Sequence, residues 1–357
     1  MAATIPESMQ AIALSQYAKP SDYNFATLPT PEIQDPTDVL IKVYAASVNP
    51  VDVKMASGIA KAMSKDSFPY KIGYDVSGVV VAVGPDVKSF RIGDEVYARV
   101  PQDKRGTLAE YAVSPEFAIA KKPAKISFTE AAAVPLVALT ALQCMEEANK
   151  KLEGGLKGKT VLVPGGLSGT GSFAVQLAKN VFEAKEVITT LSTGKISKAR
   201  ALLGESVFTP IDYTKEDVAK SVGTGAVDYL FDTMKTTTSL LKTVKRGGVI
   251  VSVSTIASGT QIKNVGMDVP VVIRWALDFI DWGYRWWCGR AGVTYWYQFM
   301  RPSGADLDKL GAWITEGKIT PIVGRTAKFS DLEGIRQGCT EVFDGKGGVG
   351  KFVVEMF

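Results

Sequence analysis

The 357-residue chain contains no histidine and only three cysteines, Cys144, Cys288 and Cys339. Structural zinc sites usually hold four Cys or His ligands, and catalytic ones typically hold three protein ligands including His. Neither can be assembled here by the usual recipe, and an imidazole acid or base is excluded as well. A bound organic cofactor is left as the natural source of reactivity. The cysteines lie far apart, are odd in number and form no CxxC pair, which fits a reducing compartment better than a disulfide framework. No block of like charges of the kind that marks a nucleic-acid arm is present. The formal charge of +4 comes from lysines and arginines dispersed among acids, so nucleic acid is not an expected partner. No transmembrane segment is expected either. Residues 1–10, MAATIPESMQ, hold a proline and an acid but neither arginine nor an apolar core. They resemble neither a secretory nor a transit peptide, and the expected location is cytoplasmic.

With 46% apolar and 22% charged residues, the composition is that of a globular protein long enough for two cores. Its first third reads as short strands, with β-branched runs over 39–44 and 78–83 and turn signals at Gly84-Pro85 and Gly93-Asp94. From about residue 130 strands and helices alternate. The pattern predicts helices over 131–148 and 172–182, and strands over 160–163, 187–190, 207–209, 227–232, 249–254 and, rich in aromatics, 293–299. That alternation implies a parallel sheet covered on both faces, with the strand number of a doubly wound dinucleotide fold. After Pro302 come amphipathic helices over 306–315 and 331–344 and a terminal strand over 351–355 that returns to the first domain.

The segment Pro164-Gly165-Gly166-Leu167-Ser168-Gly169-Thr170-Gly171 lies between an apolar strand and a helix. Small residues there let the backbone approach a pyrophosphate, which then meets the N–H groups and positive dipole end of the helix. Ser168 takes the middle position of a GxGxxG spacing, small and able to hydrogen-bond. A plain turn is the alternative; the strand–turn–helix context favours a dinucleotide site. An acid at the end of the next strand would bind an unphosphorylated ribose. The chain instead has Thr189-Thr190-Leu191-Ser192-Thr193-Gly194-Lys195 and then Lys198. Hydroxyls and a lysine suit a 2′-phosphate, so NADP(H) is expected over NAD(H), against the alternative that Lys195 and Lys198 are solvated residues at a helix start.

These elements carry a resemblance. Residues 46–54 (ASVNPVDVK), 73–78 (GYDVSG), Val83-Gly84 through Gly93-Asp94-Glu95-Val96-Tyr97, 106–111 (GTLAEY), Pro135 through Leu139-Thr140-Ala141, Ile211-Asp212-Tyr213, Phe231-Asp232-Thr233 and 350–354 (GKFVV) stand in order around the glycine loop. The chain resembles, over nearly its whole length, the zinc-free quinone oxidoreductase and enone (alkenal) reductase branch of the medium-chain dehydrogenase/reductases. The resemblance implies an α/β fold: a GroES-like β-rich catalytic domain (1–130 and 302–357) facing a Rossmann domain (131–301). It implies Asn49 and Thr140 at the nicotinamide end and Gly169, Thr170 and Gly171 at the pyrophosphate. Ser192, Lys198 and Tyr213 would surround the 2′-phosphate, and Thr233, Val253 and Ser254 would border the cofactor. Ser168 and Met234 stand where the family usually has glycine.

Reducing a conjugated carbonyl places negative charge on its oxygen and requires a donor there. Lys54 is the candidate, with Asp52 orienting it or a cofactor hydroxyl; a surface lysine paired with Asp52 is the structural alternative. The α-carbon proton would come from water or from Tyr70 or Tyr74. Five of the six tryptophans, at 275, 282, 286, 287 and 296, fall in one segment, where Trp275, Phe279, Trp282 and Trp286 recur at helical spacing. Arg274 with Asp278 and Asp281 with Arg285 are spaced as i,i+4 pairs. A helix packed on the Rossmann domain, a substrate lid, and a partner or membrane-surface contact are the three readings, in that order. The expected activity is NADPH-dependent reduction of a small-molecule enone or quinone, with a homodimer left open as the assembly. The alternatives are a trans-acting enoyl reductase of a biosynthetic pathway and a non-catalytic NADPH-binding protein.

Overall fold

A computed structural model describes residues 5–61, 66–264, 267, 269–346 and 348–357; the first four residues of the segment read as leaderless lie outside these. The first lobe is built from strands β1 (Ser8–Leu14), β2 (Phe25–Pro29), β3 (Asp38–Val48), β4 (Tyr70–Lys71), β5 (Asp75–Val83), β6 (Glu95–Arg99), β7 (Tyr111–Pro115) and β8 (Ile119–Lys121). Helix α1 (Pro50–Ala56) follows β3, and α2 (Phe128–Ala132) closes the lobe. The helix expected over 131–148 is therefore two. Pro135, with no N–H to continue a ladder, opens α3 (Pro135–Lys151) at its first turn.

The second lobe continues with β9 (Thr160–Val163), α4 (Gly169–Asn180), β10 (Glu186–Leu191), α5 (Thr193–Leu203), β11 (Thr209–Asp212), α6 (Val218–Val222), β12 (Val227–Asp232), α7 (Thr237–Leu240), β13 (Val244–Ser252), α8 (Gly259–Asn264), α9 (Val271–Arg290), β14 (Thr294–Tyr297) and α10 (Gly304–Thr315). Its six strands are ordered β11-β10-β9-β12-β13-β14 and every pairing is parallel. Numbered within the lobe this is 3-2-1-4-5-6, the doubly wound order whose ligand crevice opens at the carboxyl ends of the strands beside the switch point. β11 lies later than the expected 207–209 because Pro210, which reads as a breaker, is admitted on an edge strand.

The chain then returns. β15 (Val323–Lys328) and β16 (Lys351–Glu355), with α11 (Leu332–Phe343) between them, complete a seven-stranded sheet in the order β15-β16-β3-β5-β6-β8 with β7 on β3. One apolar cluster unites α3, α4, the sheet and Leu307, Leu310 and Ile314 of α10. A second fills the first lobe between β3, β5, β6 and α11. The tail also touches the second lobe: the Gly350 N–H donates to the Leu167 carbonyl at 2.9 Å. The start of β16 is thereby set against the glycine loop.

The aromatic segment forms α9, a helix packed on the second lobe, with its aromatic face outward. Leu277, Asp281, Tyr284 and Cys288 form the inner stripe, Tyr284 stacking on Tyr295 of β14 and Cys288 lying buried in the core. Trp275, Phe279, Trp282 and Trp286 are more than half exposed. Asp281 and Arg285 make the expected pair at 2.6 Å, whereas Asp278 accepts from the Thr260 N–H and hydroxyl rather than from Arg274.

Candidate active site at the seam between the lobes

The glycine loop leaves β9 and enters α4 through contacts only small residues allow. Gly165 adopts φ +72°, and a Cβ on Gly166 or Gly171 would lie 2.2 Å from Thr189 Oγ1 or the Gly165 carbonyl oxygen. Thr190 Oγ1 accepts from the Gly165 N–H at 3.0 Å, and Thr233 Oγ1 donates to the Pro164 carbonyl at 3.0 Å. Ser168 is the N-cap of α4, its hydroxyl oxygen accepting from the Gly171 N–H at 3.0 Å. The first-turn amides of Gly169 and Thr170 are left without helical partners at a dipole's positive end. This cradle fits a pyrophosphate. Thr233 serves it by fastening the loop.

The neighbouring strand ends complete that edge. Ser192 caps α5 directly after β10, and the Tyr213 N–H donates to Leu191 at 3.2 Å, bringing the two residues side by side. Tyr213 and Lys198 are exposed. Asp212, at the end of β11, is a carboxylate the sequence reading quoted without a role. The Thr193 and Thr214 hydroxyls hold it below the usual carboxylate range, so its lone pairs face those threonines. On the other side, buried Asp232 binds the amides of Met234, Thr236 and Thr237 and the hydroxyl of Ser254. Ser254 ties β12 to β13, with half-buried Val253 beside it. Exposed Met234 lies over Gly165, its sulfur 3.5 Å from where a Cβ would stand.

Across the seam the first lobe presents a network that sequence reasoning missed. Asn49 caps α1 and is fully buried. Its Nδ2 donates to Asp75 Oδ2 at 2.8 Å, and its Oδ1 accepts from Lys351 Nζ at 2.5 Å. Lys351 also donates to the Val48 carbonyl at 2.9 Å and lies 3.8 Å from Asp75 Oδ2, while its stem packs against Gly169 of the phosphate cradle. Asp75 further accepts from Ser47 Oγ at 3.0 Å and from the Leu136 N–H, at the start of α3, at 2.9 Å. One turn into α3, buried Thr140 donates back to the Leu136 carbonyl at 2.7 Å. A charged residue opening an otherwise apolar strand, as Lys351 and Asp75 both do, was the available signal. The Asn49 side chain is thus spent on Asp75 and Lys351, and it acts on the seam by holding β3, β5 and β16 together.

Asp52 does not orient Lys54. Its Oδ2 accepts from the Asn49 N–H at 2.5 Å, its Oδ1 is buried without a partner, and the carboxyl points into the lobe. Lys54, two residues on, lies on the opposite, exposed side of α1, as helical geometry requires. Among the described residues no carboxylate lies within ion-pair distance of it. Burial and then Asp75 push the Asp52 carboxyl up to about 7; burial likewise raises Asp75 and lowers Lys351. Between its unfolded value near ~4 and about 7, Asp52 keeps in the folded state a proton that the unfolded chain releases. Stability therefore falls as pH rises through that window. Asp52→Asn is expected to flatten the decline, by about 2 kcal/mol between pH 5 and 8 in urea unfolding; an unchanged slope would exclude Asp52 as its source. Tyr70 and Tyr74 are buried, and burial pushes both phenols up, Tyr74 to about 12 beneath the Arg99 guanidinium. A cavity of about 360 Å³ lined by Thr30, Asp38, Lys71 and Lys104 lies at the opposite end of β3 from Asn49 and takes no part in the seam.

Comparison with known proteins matches residues 35–124 to the alcohol dehydrogenase GroES-like domain and residues 207–334 to the zinc-binding dehydrogenase family. A 2-methylene-furan-3-one reductase of Solanum lycopersicum is 33% identical over 334 residues, spanning 92% of this chain and 74% of its own length. An NADPH-dependent alkenal/one oxidoreductase of Arabidopsis thaliana, named as chloroplastic, is 38% identical over 334 residues, spanning 92% and 75%. The structure of a quinone oxidoreductase from Coxiella burnetii superposes with a TM-score of 0.78 at 28% identity, covering 98% of this chain and all of the other.

Proposed function

Because the chain belongs to the medium-chain dehydrogenase/reductases, in their quinone oxidoreductase and enone reductase branch, we propose that it is an NADPH-dependent, zinc-independent reductase of α,β-unsaturated carbonyls or quinones. The observation that carries this reading is the phosphate cradle at the N-terminus of α4, set directly against the buried Asn49–Asp75–Lys351 network of the other lobe. When bound, the nicotinamide would supply a hydride for the β-carbon of the acceptor. The Gly169 and Thr170 amides hold the pyrophosphate; Ser192, Lys198 and Tyr213 take the 2′-phosphate at an edge where Asp212 is already engaged by threonines. Val253 and Ser254 border the cofactor at the end of β13.

Lys54, exposed and without an ion-pair partner among the described residues, is the donor to the oxygen on which charge develops. With Tyr70 and Tyr74 buried in the first lobe, the α-carbon takes its proton from water. The three cysteines are free and buried, which supports a reducing compartment such as the cytoplasm. Edge strand β14 offers the unpaired backbone on which a second copy would add in a homodimer.

Loss of absorbance of NADPH with a panel of free enones and quinones tests the reading. Turnover of small free enones supports it, activity only on carrier-bound chains points to the enoyl reductase alternative, and binding without turnover points to the non-catalytic one. Lys54→Ala is expected to lower kcat/KM about 100-fold while leaving NADPH affinity unchanged; an unaltered kcat/KM removes it from the chemistry. Lys198→Glu is expected to weaken NADPH about tenfold and NADH hardly at all, and equal losses would refute the 2′-phosphate assignment.

A further inference from the structure

Helix α9 wears its apolar side outward. Val272, Trp275, Phe279, Trp282 and Trp286 follow one another at spacings of three and four, and each is more than half exposed. Phe279 stacks on Trp282 and Trp282 on Trp286, with ring centroids 5.5 and 6.3 Å apart. At 20 residues the helix is about 30 Å long, so the rings form one continuous stripe. A contiguous exposed apolar patch of this kind marks an interaction site. It cannot be a bilayer span, since no helix among the described residues is long and apolar enough.

The charges around the stripe identify what covers it. Of the two carboxylates of α9, Asp281 is buried and held by Arg285, and half-buried Asp278 is bound by Thr260, against three arginines, Arg274, Arg285 and Arg290, on the same helix. The cations remain outside: Arg290 is exposed with its guanidinium 5.3 Å from the Trp286 ring, and Lys263 is exposed on neighbouring α8. An aromatic stripe on a helix with more cations than carboxylates, and with outward Arg290 and Lys263 at its border, complements a surface that is apolar within and anionic at its boundary. A helix of this composition lies in the headgroup plane with its aromatic face in the acyl boundary.

We propose that α9 docks the protein on an anionic lipid bilayer, lying flat with Trp275, Phe279, Trp282 and Trp286 inserted and Arg290 and Lys263 against the headgroups. α9 leads into β14 and runs against the strands, so its N-terminal end lies at the carboxyl edge of the sheet, the edge that carries Val253 and Ser254. Docking would hold the crevice close to the membrane surface. The inference stands independently of the reductase assignment.

Flotation of the full chain with vesicles of phosphatidylcholine alone, or with phosphatidylglycerol added, tests it. The protein is expected to float with the anionic vesicles, with a blue shift of tryptophan fluorescence and quenching by brominated acyl chains. Added salt weakens the binding. Trp282→Gln with Trp286→Gln should reduce vesicle binding at least about tenfold, and Arg290→Glu should remove the preference for anionic lipid. Both variants keep the unfolding midpoint and the NADPH affinity, because these side chains point away from the core. Absence of flotation, or equal binding by the double variant, overturns the proposal. So does a change of oligomeric state in the double variant measured by light scattering without lipid, which would assign the stripe to a second copy of the chain.

Discussion

Lys351→Met is expected to lower the thermal midpoint by about 10 °C. The lysine is almost completely buried, and its ammonium lies 3.8 Å from Asp75 Oδ2, with Arg99 as the cross-strand cation beside the same carboxylate. Methionine retains the stem that packs on Gly169 but leaves the Asp75 carboxylate without its countercharge and the Asn49 Oδ1 without its donor. Breaking a buried ion pair from one side costs about 3–5 kcal/mol, and in a chain of this size each kcal/mol moves the midpoint by roughly 2–4 °C. Asp75 would retain Ser47, Asn49 and the Leu136 amide, which keeps the loss from being larger. Adding Asp75→Asn removes the stranded charge, so the double variant should recover a large part of the stability. Calorimetry of the two single variants and the double variant checks this. A midpoint unchanged in Lys351→Met, or equal losses with and without Asp75, would show that the network does not couple β16 to β3 and β5.

Gly171→Ala is expected to raise the dissociation constant for NADPH about 100-fold, close to ~3 kcal/mol of binding free energy. A Cβ at this position would meet the Gly165 carbonyl oxygen at 2.2 Å and Ser168 Oγ at 2.8 Å. Those atoms are the turn itself and the cap that closes it, so the helix must back away from the loop. The Gly169 and Thr170 amides then leave the positions proposed to meet a pyrophosphate. Gly289→Ala on α9, where a Cβ meets nothing within 4 Å, is the control and should leave NADPH affinity unchanged. Fluorescence titration of both variants is sufficient, and wild-type affinity in Gly171→Ala would place the cofactor elsewhere.

The second lobe was legible because its signals are local. A β-branched run, a small-residue turn and an amphipathic helix each span few residues, and β9, α4 and β12 lie close to where the pattern puts them. Errors arose where tertiary context overrode local signals. Pro210 is admitted only because β11 is an edge strand, and α9 packs on its lobe through Leu277, Asp281, Tyr284 and Cys288, a choice of face that helical periodicity alone does not make. The phosphate cradle was readable for the same reason as the strands. The network behind it was not, because Asn49, Asp75 and Lys351 are separated by up to 302 residues and meet only when β16 returns to β3. Asp52 shows the complementary failure. Two residues from Lys54 it reads as a partner, but helical geometry sends it back to cap Asn49.

The central claim is that hydride passes from NADPH, held across the seam, to the β-carbon of a conjugated acceptor. Its most direct test is turnover of a simple enone with NADPH deuterated at the transferring position of the nicotinamide. The account predicts a saturated ketone carrying deuterium on the former β-carbon and a solvent proton on the α-carbon. An alcohol bearing deuterium on the carbonyl carbon, or a protein that takes up no NADPH at all, would contradict it.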